Sequence, residues 1–150
     1  DTWAEILGRV RSSTLYLKAR GLGWERARER IFTRFERLGV ARNRLRLDPP
    51  VERADAHLAE YAEIDVALDP FPYAGTTTTC EALWMGVPVV TLAGDRHAGL
   101  VGKSLLGSVD LGSLVARTRD EYVRLAIDLA ADADRRADMR RTLRARVNSR

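Results

Sequence analysis

The densest chemistry in the chain lies between residues 69 and 88. It reads Asp69-Pro70-Phe71-Pro72-Tyr73-Ala74-Gly75, then Thr76-Thr77-Thr78-Thr79-Cys80-Glu81, and runs on to Gly86-Val87-Pro88. The prolines stiffen the start of this stretch, and Gly75 permits a tight turn or the close approach of a ligand. Four threonines then lead into a segment of helical character. At a helix start the unsatisfied amides and the positive end of the dipole attract anions, and threonine hydroxyls add donors. Gly75, Thr76, Thr77 and Thr78 are therefore candidate ligands for a phosphate or diphosphate. Thr78-x-x-Glu81 also reads as a capping box, with Thr78 at the N-cap and Glu81 closing back on its amide. Capping accounts for one threonine and the glutamate, not for four threonines after a glycine. No Gly-Lys-Ser/Thr follows the glycine, so the loop is not a Walker loop. No G-x-G-x-x-G is present, and Gly21-Leu22-Gly23 is too short to count as one.

The elements that must position this loop follow from periodicity. Short apolar runs begin at Leu15, Leu45, Val66, Val89 and Leu114, separated by 30, 21, 23 and 25 residues. That spacing is too long for hairpins and suits a strand, a helix and two loops. Between the runs, three stripes repeat at helical spacing: Ala27, Ile31, Phe35 and Leu38; Ala54, Leu58, Tyr61 and Ala62; Tyr122, Ala126, Leu129 and Ala130. The pattern predicts an α/β fold with a doubly wound, mostly parallel, Rossmann-like sheet. Ligands of such sheets sit beyond the carboxyl ends of the strands. These ends begin at Lys18, Asp48, Asp69, Ala93 and Arg117. Lys18 is thereby a further candidate for the diphosphate, as a source of positive charge.

The 150 residues carry a net charge of +4 and are 45% hydrophobic, a globular composition and enough for a single domain over 1–150. Trp3, Ile6, Leu7 and Val10 form a helix face with no strand before it. This predicts a chain that begins inside a larger protein, its first strand missing. A last helix is expected over about 134–148, with Met139, Leu143 and Val147 on its packed side and arginines on the others. Cys80 is the single cysteine, which excludes an intrachain disulfide and a cysteine zinc site and suits a cytoplasmic protein. No apolar run approaches the ~20 residues of a membrane span, so no membrane partner is expected. Apart from Lys18 and Lys103 the basic residues are arginines spread along helices. That is not the concentrated patch a nucleic-acid partner requires.

Asp65 to Gly94 reads DVALDPFPYAGTTTTCEALWMGVPVVTLAG. It resembles the C-terminal half of the O-GlcNAc transferase catalytic region, in the bacterial branch fused to tetratricopeptide repeats. Leu15 to Arg20 (LYLKAR), His57 ahead of the DVALD strand, and Asp95-Arg96-His97-Ala98-Gly99 agree, and the similarity runs from about Trp3 to Ala130. The resemblance implies the C-terminal half of a GT-B fold, which holds a UDP-sugar, UDP-GlcNAc in the best-known members. It implies transfer to a Ser or Thr hydroxyl with inversion, with no cofactor and no bound metal. Carried over by position, the diphosphate-binding threonines fall on Thr77 and Thr78. The ribose-binding acid falls on Glu81, where animal members carry Asp, and the histidine near the nucleotide falls on His57. Thr76 stands where animal members place another histidine. Ala54 replaces a lysine that assists the diphosphate in animal members, and Leu100 replaces an arginine common among relatives.

Of the contributions an inverting transfer needs, this chain is expected to supply the stabilisation of the leaving diphosphate. The family's proposed base belongs to parts outside the chain, so the isolated chain is expected to be inactive. Its implied partners are the UDP-sugar, an N-terminal GT-B half, tetratricopeptide repeats and a protein acceptor. Two other readings stand beside this one. The first, a non-catalytic nucleotide-binding or regulatory domain, is motivated by Ala54 and Leu100. The second, a structural or polyanion-binding module, is motivated by the arginine-rich last helix.

Overall fold

The computed structural model describes residues 1–149, the side chain of Ala98 excepted. The elements follow in the order α1 (Thr2–Arg9), β1 (Leu15–Lys18), α2 (Glu25–Arg37), β2 (Leu45–Asp48), α3 (Ala54–Ala59), β3 (Ala67–Leu68), α4 (Thr77–Trp84), β4 (Val89–Leu92), α5 (His97–Ser108), β5 (Val115–Ala116), α6 (Arg119–Ala131) and α7 (Ala133–Asn148). Short 3-10 turns precede α2, β2 and β5, and one follows α3. Each apolar run of the sequence contains a strand. The sequence treats 1–150 as one domain. The structure divides into two compact units, Asp1–His57 and Leu58–Arg150, with the division inside α3.

In the first unit β1 and β2 pair in parallel, from Leu15 opposite Leu45 to Lys18 opposite Asp48. Parallel neighbours need a crossover, and α2 supplies it. Its stripe buries Phe35 with Ala4 and Leu7 of α1, Leu15 of β1, Leu45 of β2 and Val40 of the loop between α2 and β2, while Ile31 and Phe32 pack against this cluster. Gly39 ends α2 with φ +80°. The Gly39 amide donates to Glu36 and the Val40 amide to Phe35, the paired C-terminal bonds that favour a glycine in the left-handed region.

In the second unit β3, β4 and β5 form a parallel sheet with β4 central. Val89 and Val90 are fully buried, as expected of a strand covered on both faces. Tyr122, Val123, Ala126 and Leu129 of α6 are buried, and so are Met139 and Leu143 of α7. Thr118 caps α6 by accepting from the Glu121 amide at 3.1 Å. Gly86, at φ +79°, ends α4, and a Cβ there would lie 2.5 Å from the Arg140 carbonyl oxygen of α7. Pairing in the described residues thus forms two parallel sheets, of two and three strands.

The last helix differs from its sequence reading in how it uses its arginines. Arg136 donates to the carbonyls of Leu129, at 2.9 Å, and Ala130, at 2.5 Å. Arg140 donates to the Tyr61 carbonyl at 3.0 Å and to that of Ile64. Both guanidinium groups therefore satisfy main-chain oxygens at the ends of neighbouring helical segments. Among the described residues no helix is long and apolar enough to cross a membrane.

Candidate functional site

The loop after β3 is built from its first residue. Asp69 is only 4% exposed. The Gly75 amide donates to its Oδ1 at 2.7 Å, and the Thr91 hydroxyl of β4 donates to its Oδ2 at 2.7 Å. The Tyr122 hydroxyl of α6 donates to the Asp69 carbonyl at 3.0 Å. The Phe71 ring stands edge-on to Tyr122, with centroids 5.2 Å apart. Burial pushes the Asp69 carboxyl above the usual carboxylate range, against the opposing hydrogen bonds from Thr91, Gly75 and Thr79.

The four threonines divide into distinct roles. Thr79 is buried and its hydroxyl donates to the Gly75 carbonyl at 3.0 Å. Thr76, Thr77 and Thr78 are exposed. Thr76 is the N-cap, α4 begins at Thr77, and the Thr76 side chain makes no capping bond to the first amides. The capping box expected of Thr78 and Glu81 does not form. The helix starts two residues earlier than that box requires, because the Asp69 and Thr79 bonds draw Gly75 against the helix start. A Cβ on Gly75 would lie 2.5 Å from Thr78 Oγ1 and 3.2 Å from Asp69 Oδ1. The Thr78 hydroxyl is thus turned back over the loop, and only glycine leaves it that room.

Glu81 instead meets Tyr61, whose hydroxyl lies 3.3 Å from Glu81 Oε2 and 3.3 Å from the Thr78 carbonyl. Burial, then the charge and hydrogen bond of Glu81, push the Tyr61 phenol well above its ordinary range. It stays a neutral donor that holds the carboxylate.

Helix α5 closes over Asp69 through glycine. A Cβ on Gly102 would overlap Thr91 Oγ1 and come within 2.6 Å of Asp69 Oδ2. In the first unit, Lys18 ends β1 and its ammonium hydrogen-bonds His57 Nδ1. An ammonium has only donors, so Nδ1 is the acceptor of this bond.

A family model described as Glycosyl transferase family 41 matches residues 1–150. The chain belongs to glycosyltransferase family 41. Among relatives of this family-41 chain is a barley (Hordeum vulgare) protein named as a probable UDP-N-acetylglucosamine–peptide N-acetylglucosaminyltransferase, SPINDLY. It is 47% identical over 144 residues, which are 96% of this chain and 15% of the barley protein. A UDP-N-acetylglucosamine–peptide N-acetylglucosaminyltransferase of Caenorhabditis elegans is 35% identical over 141 residues, 93% of this chain and 12% of that protein. A solved structure, a mutant of the Thermobaculum terrenum O-GlcNAc transferase, superposes with a TM-score of 0.94 at 45% identity. It covers 99% of this chain and 28% of that one. The family-41 chain thus spans about one-sixth or less of the length of the barley and nematode relatives, and its parallel α/β architecture is that of one half of a GT-B glycosyltransferase.

Within the second unit the fold gathers Gly75, Thr76, Thr77, Thr78 and Glu81 at the start of α4; within the first it joins Lys18 to His57. Sequence reasoning missed Asp69, Thr91 and Tyr61. The signal for Asp69 was present, since an acid directly closes the apolar run Val66-Ala67-Leu68 at a strand's carboxyl end. Thr91 and Tyr61 carry no such mark, being ordinary members of a strand and a helical stripe.

Proposed function

We propose that this family-41 chain is the donor-binding half of an inverting glycosyltransferase that moves a sugar, GlcNAc, from a UDP-sugar to Ser or Thr of a protein. One observation carries the reading. Exposed Thr77 and Thr78 surmount the uncapped first turn of α4, at the carboxyl end of β3, beside a Gly75 amide held in place from below. That is where an open parallel sheet binds ligands, and it is built from donors suited to a diphosphate. The names of the barley and nematode relatives agree with it.

In the transfer, the acceptor oxygen bonds to the anomeric carbon while the bond from that carbon to the diphosphate oxygen breaks. The hydroxyl proton passes to a base that this reading places outside the chain. Thr77, Thr78 and the α4 amides receive the negative charge that develops on the leaving diphosphate. One such donor is worth roughly 3 kcal/mol, or about a hundredfold in rate. Glu81, held by Tyr61, accepts from the ribose. His57 and Lys18 are assigned to the nucleotide and the diphosphate on the sequence resemblance and the strand-end position. This reading gives no metal a part, so a chelator leaves turnover of the full-length protein unchanged.

Titration calorimetry with UDP, with GDP as the base control, tests the reading. The chain binds UDP, and the paired change Thr77→Val and Thr78→Val weakens binding by about a hundredfold, the loss of two hydrogen bonds to a charged acceptor at about 1.5 kcal/mol each. Unchanged binding in that variant refutes it. The chain by itself transfers no sugar. Ala54 and Leu100 favour one other reading, a nucleotide-binding domain without catalysis. A full-length gene product that binds UDP but glycosylates no acceptor peptide would establish that reading.

A further inference from the structure

A carboxylate is among the costliest side chains to bury, and the Gly75 amide needs only an acceptor. Asp69 nevertheless lies buried directly beneath the threonine loop. Its two oxygens face different elements. Oδ1 takes the loop amide of Gly75, and Oδ2 takes the hydroxyl of buried Thr91 in the central strand. The Thr79 bond to the Gly75 carbonyl closes a second link from the same glycine into α4. The position of Gly75 is thus referenced to the buried central strand, and the start of α4 is referenced to Gly75. Two glycines keep the space that this arrangement needs, Gly75 above the carboxylate and Gly102 on α5 beside it. With both oxygens engaged inside the protein, Asp69 acts through its neighbours.

We propose that Asp69 is a positioning residue that sets donor affinity by fixing Gly75 and the first turn of α4, without itself touching the donor. This rests on the diphosphate reading above.

The test compares Asp69→Ala, Asp69→Asn and Thr91→Val with the unsubstituted chain. It measures the Kd for UDP by calorimetry and amide hydrogen exchange at Gly75, with Val89 and Val90 as core references. Loss of a hydrogen bond to a charged acceptor predicts that Asp69→Ala weakens UDP binding at least about tenfold. Exchange at Gly75 accelerates in that variant while the β4 amides stay protected. Asp69→Asn still offers the Gly75 amide an acceptor, and it returns the Kd to within about threefold of the original. A purely structural role would act through global stability: Gly75 and the β4 amides would exchange faster together, and any rise in the UDP Kd would match the fraction of chain unfolded; that result overturns the proposal. Should Asp69→Ala fail to fold, Thr91→Val decides. It frees Oδ2, and an unaltered UDP Kd with unaltered Gly75 exchange overturns the proposal equally. Failure of the unsubstituted chain to bind UDP overturns the donor reading, and this inference with it. UDP binding indifferent to every Asp69 variant overturns this inference alone.

Discussion

Gly75→Ala probes the packing that shapes the candidate site. The new methyl would lie 2.5 Å from Thr78 Oγ1, 3.2 Å from Asp69 Oδ1 and 3.2 Å from Thr79 Oγ1. The first separation is impossible for a carbon and an oxygen in van der Waals contact, so Thr78 must leave its rotamer. The other two are tight and press on the bonds that anchor the loop. Gly75 has no positive φ, so alanine suffers no backbone strain there and gains about 0.4–1 kcal/mol through the unfolded chain. Overpacking opposes this with about 1–3 kcal/mol. The expected net is a loss of about 1–2 kcal/mol, read as a shift in the urea midpoint at constant m-value. The double variant with Thr78→Ala removes the worst overlap and retains the other two. It should recover about 1 kcal/mol relative to the sum of the single changes, a coupling well above the error of such cycles. UDP affinity should fall in Gly75→Ala and stay low in the double variant, since Thr78 is itself a proposed ligand. Strictly additive stabilities would refute the reasoning, because they would mean that the Thr78 hydroxyl does not lie over Gly75.

Two further outcomes are expected of the same unit. The folded state raises the Asp69 carboxyl, chiefly through burial, so over the window between the ordinary Asp range and that raised value the folded chain holds a proton that the unfolded chain releases. Stability is therefore fullest below the ordinary range and declines as pH rises through the raised value. Asp69→Asn should abolish this segment of slope, which urea unfolding followed upward in pH from the ordinary Asp range would show. Gly86→Ala combines a left-handed backbone, φ +79°, with a Cβ placed 2.5 Å from the Arg140 carbonyl oxygen, an atom that cannot rotate aside. It should cost at least about 2 kcal/mol by chemical denaturation, whereas Gly107→Ala, with open space around its Cβ, should cost nothing measurable or stabilise.

The elements were legible in the amino-acid sequence because their signals are local. Leu15–Lys18, Leu45–Asp48 and Val89–Leu92 are short, apolar and β-branched or leucine-rich, and the helices between them carry one apolar stripe each. Such patterns can be buried in only one way, and the strand spacing demands helical crossovers. The threonine loop was legible for the same reason: glycine followed by a run of hydroxyls before a helix declares its donors in consecutive residues. The tertiary structure decided how those donors are held. The Asp69 side chain meets a hydroxyl 22 residues away, and its carbonyl meets one 53 residues away. The bonds of Gly75 to Asp69 and Thr79 set it against the start of α4 at Thr77, and Glu81 meets Tyr61 in place of an N-cap. Arg140 binds a carbonyl 76 residues before it, where composition had shown only a solvated cationic face. Periodicity reports which side of an element is buried. It cannot report which buried polar group finds which partner, because that pairing exists only once the strands and helices have brought distant residues within hydrogen-bond reach.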